Sequence, residues 1–334
     1  MKRFSTLIML FSCLCFVAML SYGTAVAKQD GEVLEKVTLR MNWFPYADYA
    51  AYIIGIKKGF YRDEGIEVEV IPTKGSGLTT KLIANREGEF AGASADAVLT
   101  ARTKGMPLKV LATLHQTSPV SIFSLQSQNI KNPKDLEGKS IASDPSSMKH
   151  QQFVAFCQKQ GIDIEKIRII PIAGSNFIHI LEGKADSMLA FGYIGDALLR
   201  KKGHAVNEMK LNDYGVDMYS ISLITHDDLI SENPDLVKRF VSATVKSWDY
   251  AASHVEEAVD AYVEAYPDLK KDNEMDQVRG VVELMQSQYT KQYGYGYQSK
   301  EKWEATQDLL YEQGLIDKKI DINEVYTNKF LPKK

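Results

Sequence analysis

Asn42, Trp43, Tyr46, Asp48 and Tyr49 crowd into eight positions near the start of the chain, and together they can grip a flat, partly polar molecule. The indole and phenols offer stacking faces, and the amide and carboxylate offer hydrogen bonds. The cluster follows an alternating apolar run at 37–41, which predicts a strand. A helical pattern ending at Gly59 and a second alternating run at 66–71 complete a βαβ unit. In open α/β sheets ligands bind just past the carboxyl ends of the strands, which is where these side chains stand. The competing reading is that Trp43 fills core behind the helix. Two further polar turns sit at comparable places. Gly75-Ser76-Gly77 feeds a helix N-terminus, whose free backbone amides and hydroxyl suit an anion or a carbonyl. It lacks the spacing and Lys-Ser/Thr pair of a P-loop, and a plain capped turn is the alternative. Ser94-Ala95-Asp96 ends the run at 90–94 and opens another helix, so Ser94 either caps that helix or meets a ligand beside Asp96.

Catalytic chemistry finds little support. The six histidines (His115, His150, His179, His204, His226 and His254) form no Cys/His or metal-ligand spacing, and His115 has no visible partner in sequence. Cys157 lies among Phe153, Val154 and Phe156 on a helical pattern at 151–160, as a packed core thiol would. No catalytic residue, metal or cofactor is expected.

The elements that must position these groups alternate. Strand patterns at 37–41, 66–71, 90–94, 109–114, 120–126, 140–143, 167–171, 187–191 and 218–225 are mostly separated by helical ones, which predicts an α/β protein with mainly parallel sheets. From Asn233, an Asn cap followed by Pro234, the chain reads as successive helices at 234–248, 255–266, 275–289 and 300–313. The run Tyr289, Tyr293, Tyr295 and Tyr297, broken by Gly294 and Gly296, reads as a structured loop.

Residues 1–27 read as a secretory signal peptide: a basic Met1-Lys2-Arg3 start, an apolar run at 7–20, and Ala25-Val26-Ala27 as the cleavage site. The apolar run is short for a membrane span. Leu10-Phe11-Ser12-Cys13 makes a poor lipobox, so cleavage without a lipid anchor is expected. Cys13 and Cys15 leave with the leader, and the remaining thiol precludes an internal disulfide, so stability must come from core burial. Losing Lys2 and Arg3 takes the net charge from −3 to −5, which argues against nucleic acid. The mature chain is expected to be periplasmic or secreted and to span no membrane.

From about Val37 onward the chain resembles the extracytoplasmic substrate-binding proteins of ABC importers. The closest group looks like the one that binds thiamine pyrimidine precursors, with its riboflavin- and sulfonate-binding relatives. The resemblance rests on Trp43-Phe44-Pro45, the run Gly59-Phe60-Tyr61-Arg62-Asp63-Glu64-Gly65-Ile66-Glu67-Val68, Gly75-Ser76-Gly77, Asn132-Pro133-Lys134-Asp135-Leu136-Glu137-Gly138-Lys139-Ser140-Ile141, Leu181-Glu182-Gly183-Lys184-Ala185-Asp186 and the tail Tyr326-Thr327-Asn328-Lys329-Phe330-Leu331-Pro332, in that order. It implies a two-lobe periplasmic-binding fold of type II, with crossings near 120–124 and 218–222. The first lobe would hold 28–121 and 221–334, with the C-terminal helices packed on it, and the second 122–220.

The cleft between the lobes would then take further residues. These are Gln116 and Thr117 beside the first crossing, Ser146 and Ser147 as the second lobe's counterpart of Ser94 (or as helix caps), and Asn176. Tyr193 and Asp196 follow the strand at 187–191, and Tyr219 lies at the return crossing. The implied function is delivery of a small heterocyclic, pyrimidine-like ligand to an ABC permease. The alternatives are an enzyme on the same fold that processes a pyrimidine or thiamine-related compound, and a ligand-sensing partner of a membrane receptor. The cysteine-rich patch of the eukaryotic pyrimidine-forming members is absent from this sequence.

Overall fold

A computed structural model describes residues 33–145, 147–172 and 177–334, with the side chain of Asp196 left aside. The leader, Cys13, Cys15, Ser146 and Asn176 lie outside the described residues.

Among the described residues, ten strands form two five-stranded sheets. The first holds β1 (Glu35–Met41), β2 (Ile66–Pro72), β3 (Phe90–Ser94), β4 (Leu108–Thr113) and β10 (Ile221–His226), in the order β2-β1-β3-β10-β4. The second holds β5 (Val120–Leu125), β6 (Ser140–Ser143), β7 (Arg168–Pro171), β8 (Ser187–Phe191) and β9 (Val206–Lys210), in the order β7-β6-β8-β5-β9. Each sheet has one strand from the far side of the chain inserted antiparallel: β10 between β3 and β4, and β5 between β8 and β9. The remaining pairs are parallel, as the alternation of strands and helices requires. Every residue of β3 is buried, whereas its neighbour β1 alternates, with Val37, Leu39 and Met41 inward.

The chain passes from one sheet to the other over residues 114–119 and returns over 211–220. The first passage therefore precedes the expected crossing at 120–124, which is strand paired on both edges within the second sheet. Strand β9 had no counterpart in the sequence reading. Its sequence Val-Asn-Glu-Met-Lys buries only Val206 and Met209, as befits an edge strand, and carries no period-2 apolar signal.

The helices after Asn233 begin as their sequence dictates. Asn233 Oδ1 accepts from the Leu236 backbone N–H at 3.1 Å, with Pro234 at the first helical position. The long helix Pro234–Ser253 packs on the first sheet: Phe240 stacks on Phe90 at 3.9 Å and Trp248 meets Tyr52 edge-on at 5.6 Å. Lys271–Leu284 also touches the second sheet's side, because Gly280 leaves room for Tyr193. A Cβ there would come within 2.2 Å of the Tyr193 Cβ. The tyrosine loop and the tail cover the outer edge of β4. The Thr113 N–H donates to Gly296 O at 3.0 Å and the Thr327 N–H to Val110 O at 2.9 Å, which leaves no bare edge there for another chain to join.

Candidate functional site

A cleft of about 900 Å³ opens at the carboxyl ends of five strands. Past β1 stand Asn42, Trp43, Phe44, Pro45 and Tyr46; past β2, Lys74 to Leu78; past β3, Ser94 and Asp96. The facing wall comes from the second sheet: Asp144 and Ser147 to Lys149 past β6, and Phe191 and Ile194 past β8. Trp43 is 45% exposed and Phe44 51% exposed, and their rings meet edge-on at 5.8 Å. Side by side, the two rings form an apolar face at the cleft that is open to a ligand.

Backbone and side-chain hydrogen bonds fix the first wall. Tyr46 donates its hydroxyl to Asn42 Oδ1 at 2.8 Å, and Asn42 Nδ2 donates to Ser76 Oγ at 3.1 Å. The Ser94 N–H donates to the same Ser76 Oγ at 3.0 Å, so one hydroxyl ties together the ends of three strands. Gly75 holds φ at +105°, a conformation in which a side chain is strained, and its N–H donates to Asn42 O at 2.7 Å. Tyr49 is fully buried and donates to Trp43 O at 2.6 Å, so it supports the indole's backbone and does not line the cleft. Trp43 is thus on the surface of the cleft and not behind the helix.

Three helices of at least nine residues start at this cleft, at Ser76, Ala95 and Met148, and Lys74, Lys81, Lys104 and Lys149 line it against Asp96 and Asp144. Helix N-termini and lysines together favour a ligand with an electronegative or anionic edge. Burial holds the Lys149 ammonium below the ordinary lysine range, with Asp144 partly restoring it, and its Nζ lies 5.3 Å from the Phe191 ring centroid. Burial raises the Asp96 carboxyl, against the opposing effects of Ser94 and of backbone N–H groups. Ser147 caps the helix Met148–Lys159, accepting from the His150 N–H at 3.3 Å while its hydroxyl donates to Asp144 O at 2.7 Å. Ser94 makes no side-chain cap bond.

Of the residues singled out in the sequence, Trp43, Tyr46, Ser76, Gly77, Ser94, Asp96 and Ser147 come together in this cleft. Gln116, Thr117, Tyr193 and Tyr219 do not. Strand β4 lies at the sheet edge, so the residues after it turn away. Gln116 is buried and bonds to Thr113 O, Tyr297 O and the Ser287 hydroxyl. Thr117 donates to Asp217 and accepts from Asn212. Tyr219 is fully buried beneath Trp303, and its oxygen accepts from the Ser299 N–H at 2.8 Å.

Tyr193 points behind the cleft. One helical turn places Phe191 and Ile194 on the cleft face and turns residue 193 away. Its ring lies 6.4 Å from His115, near the Asp48 carboxylate that His115 Nε2 meets at 3.1 Å with both side chains fully buried. His115 therefore has a partner that spacing along the chain could not reveal. Phe44, the lysines, Met148, Phe191 and Ile194 were missed as lining residues. The strand-end rule alone would have found those beside β1, β6 and β8. Cys157 is buried, with its thiol pushed up to about 12 by burial, and no group of His, Cys, Asp and Glu among the described residues has the arrangement of a metal site.

Comparison with known proteins agrees with this architecture. The chain is 26% identical over 322 residues to the riboflavin-binding protein RibY of Chloroflexus aurantiacus, covering 92% of this chain and 89% of that one. It is 22% identical over 335 residues to a formylaminopyrimidine-binding protein of Halalkalibacterium halodurans, covering 98% and 99%. It is 21% identical over 275 residues to the 4-amino-5-hydroxymethyl-2-methylpyrimidine phosphate synthase THI13 of Saccharomyces cerevisiae, covering 78% and 77%. The periplasmic aliphatic sulphonate-binding protein SsuA of Escherichia coli has the same fold, with a TM-score of 0.69 at 12% identity over 90% of this chain and 94% of that one. The fold is thus the two-lobe periplasmic-binding one. With the NMT1/THI5-like family pattern matched over residues 46–258, well over half its length, the chain belongs to that family.

Proposed function

We propose that this protein is an extracytoplasmic solute-binding protein that captures a small heterocyclic ligand, of the thiamine-pyrimidine-precursor kind, and delivers it to an ABC permease. The observation that carries this reading is the cleft itself. An indole left 45% exposed lines a cleft whose other side carries Met148, Phe191 and Ile194 among polar groups, with lysines and helix N-termini around them. Such a slot stacks a planar ring and orients it through a few polar groups. The riboflavin- and formylaminopyrimidine-binding relatives support a flat nitrogen heterocycle. On this reading the chain works outside the cytoplasm, and among the described residues no helix is long and apolar enough to cross a membrane.

A second reading, an enzyme acting on a pyrimidine, draws on the relatives named as pyrimidine phosphate synthases. Neither Cys157 nor His115 serves it in the cleft, since Cys157 is buried and His115 is enclosed with Asp48. Gentle purification followed by mass spectrometry of the bound compound, with a thermal-shift screen of pyrimidines, riboflavin and sulfonates, tests the binding reading. A bound ligand raises the melting temperature by mass action. Recovery of a bound heterocycle unchanged after long incubation supports capture. Its conversion, or stabilisation by none of these compounds, counts against it.

A further inference from the structure

The two passages between the sheets, 114–119 and 211–220, are joined by a run of polar side chains that crosses from one sheet's side to the other. It begins at Lys302, in the first turn of the helix Lys300–Glu312. That helix is fixed to β4, because Gln298 Oε1 accepts both from Trp303 Nε1 at 3.1 Å and from the Thr113 hydroxyl at 3.3 Å. Lys302 Nζ donates to Gln116 O on the first passage at 2.6 Å and to Asp217 Oδ2 on the return passage at 2.8 Å. It also stands 5.3 Å from the ring centroid of Tyr219. Asp217 Oδ1 accepts from the Thr117 hydroxyl, and Thr117 Oγ1 accepts from Asn212 Nδ2 at 3.2 Å. Asn212 lies in the turn Leu211–Tyr214 that leaves β9. One ammonium thus meets both passages, and three further side chains carry the connection to the second sheet. Asp217 is half-exposed, so the ion pair by itself adds little to stability. Its effect lies in what it ties together.

We infer that Lys302 is a positioning residue that pins the hinge, so that the two passages turn as one piece when the walls close on a ligand. This rests on the solute-binding reading and adds the element that sets the hinge's freedom. Lys302 does not line the cleft. Groups beside a rotation axis travel little, so the pin holds whether the cleft is open or shut. Without it the open protein samples more arrangements of its walls, whereas the closed one is still held by ligand contacts across the cleft. Binding then has more freedom to remove, and affinity falls. The loss is about fivefold, at the low end of coupling between separate sites.

The test is Lys302→Met, which keeps the stem and removes the ammonium. The amides of Gln116, Val216 and Ser220, which donate to Leu284 O, Leu211 O and His115 O, report on the passages by hydrogen exchange. Titration calorimetry with formylaminopyrimidine and with riboflavin measures affinity. In the ligand-free variant, exchange at these amides should be roughly tenfold faster than in wild type. Saturating ligand should restore the rates of saturated wild type. Affinity should be about fivefold weaker, and the ligand-free melting temperature should stay within about 3 °C. Asp217→Asn, which keeps the shape, should act in the same direction with a smaller effect, and it decides if Lys302→Met does not fold. Unchanged exchange in the ligand-free variant, or unchanged affinity, overturns the inference while leaving the binding reading intact. So does exchange that quickens equally with and without ligand, the mark of a merely structural lysine. Wild-type protein that binds neither probe overturns the heterocycle reading and this inference with it.

Discussion

Replacing Trp43 with alanine removes the broadest face of the cleft at small cost to the fold. The indole is 45% exposed, so roughly 100 Å² of its surface still awaits cover, taking about 250 Å² as the area of a whole Trp side chain. If a ligand and the closing wall cover about half of that, the transfer term is ~1.3 kcal/mol at about 25 cal/mol/Å². Ring stacking adds ~0.5–1.5 kcal/mol. The sum is about 2–3 kcal/mol, a loss of affinity well above tenfold and on the order of thirtyfold or more. The fold should tolerate the change. The group that Tyr49 holds is the Trp43 backbone carbonyl, which alanine retains. The melting temperature of the ligand-free protein should therefore move by no more than about 3 °C. Calorimetric titration with the co-purifying compound, alongside a thermal melt, reads both quantities. An affinity within threefold of wild type would refute the stacking argument. So would a collapse of the melt, which would make Trp43 a core residue after all.

Three other expectations follow from the same geometry. Tyr49→Phe removes the part-buried 2.6 Å bond to Trp43 O. It should lower stability by about 1–2 kcal/mol, with a loss of affinity smaller than that of Trp43→Ala, as a denaturant melt and a titration would show. The Cys157 thiol, pushed up to about 12, stays protonated in the native state. It should resist a water-soluble disulfide reagent at pH 9 and react at once in denaturant, whereas prompt native reaction would place it at an accessible site. Scattering profiles should contract when ligand saturates the protein, through hinge motion about 114–119 and 211–220. An unchanged radius would mean that the cleft binds without closing.

The fold was largely legible because its signals are local. Strands β3, β6 and β8 were bounded to the residue by alternation and turns, and the Asn233 cap marked its helix. Two of the family motifs proved to be structural staples, whereas Trp43-Phe44-Pro45 and Gly75-Ser76-Gly77 line the cleft. Asp135 accepts from the N–H groups of Lys131 and Asn132, both at 2.8 Å, and those bonds pull its carboxyl down. Asp186 accepts from the Ser140 N–H and hydroxyl, tying a helix–strand loop to β6. The motifs around Asp135 and Asp186 support the fold away from the cleft. The site was legible wherever a residue directly follows a strand that faces the cleft, as with Trp43, Ser76 and Asp96. It failed where strand order decides direction. Gln116 follows an edge strand, Tyr193 turns its back on the cleft within one helical turn, and Tyr219 disappears beneath Trp303. The buried pairing of His115 with Asp48 spans 67 positions, and no spacing rule reaches that far.

The central claim, that a planar solute is held between the two walls against Trp43, is tested most directly by a crystal structure of the protein with its co-purifying compound. The account predicts a ring stacked on the Trp43 indole at a centroid separation of roughly 4.5–7 Å, with Phe191 and Ile194 closed over its far side. A compound bound elsewhere, with Trp43 still open to water, would contradict it.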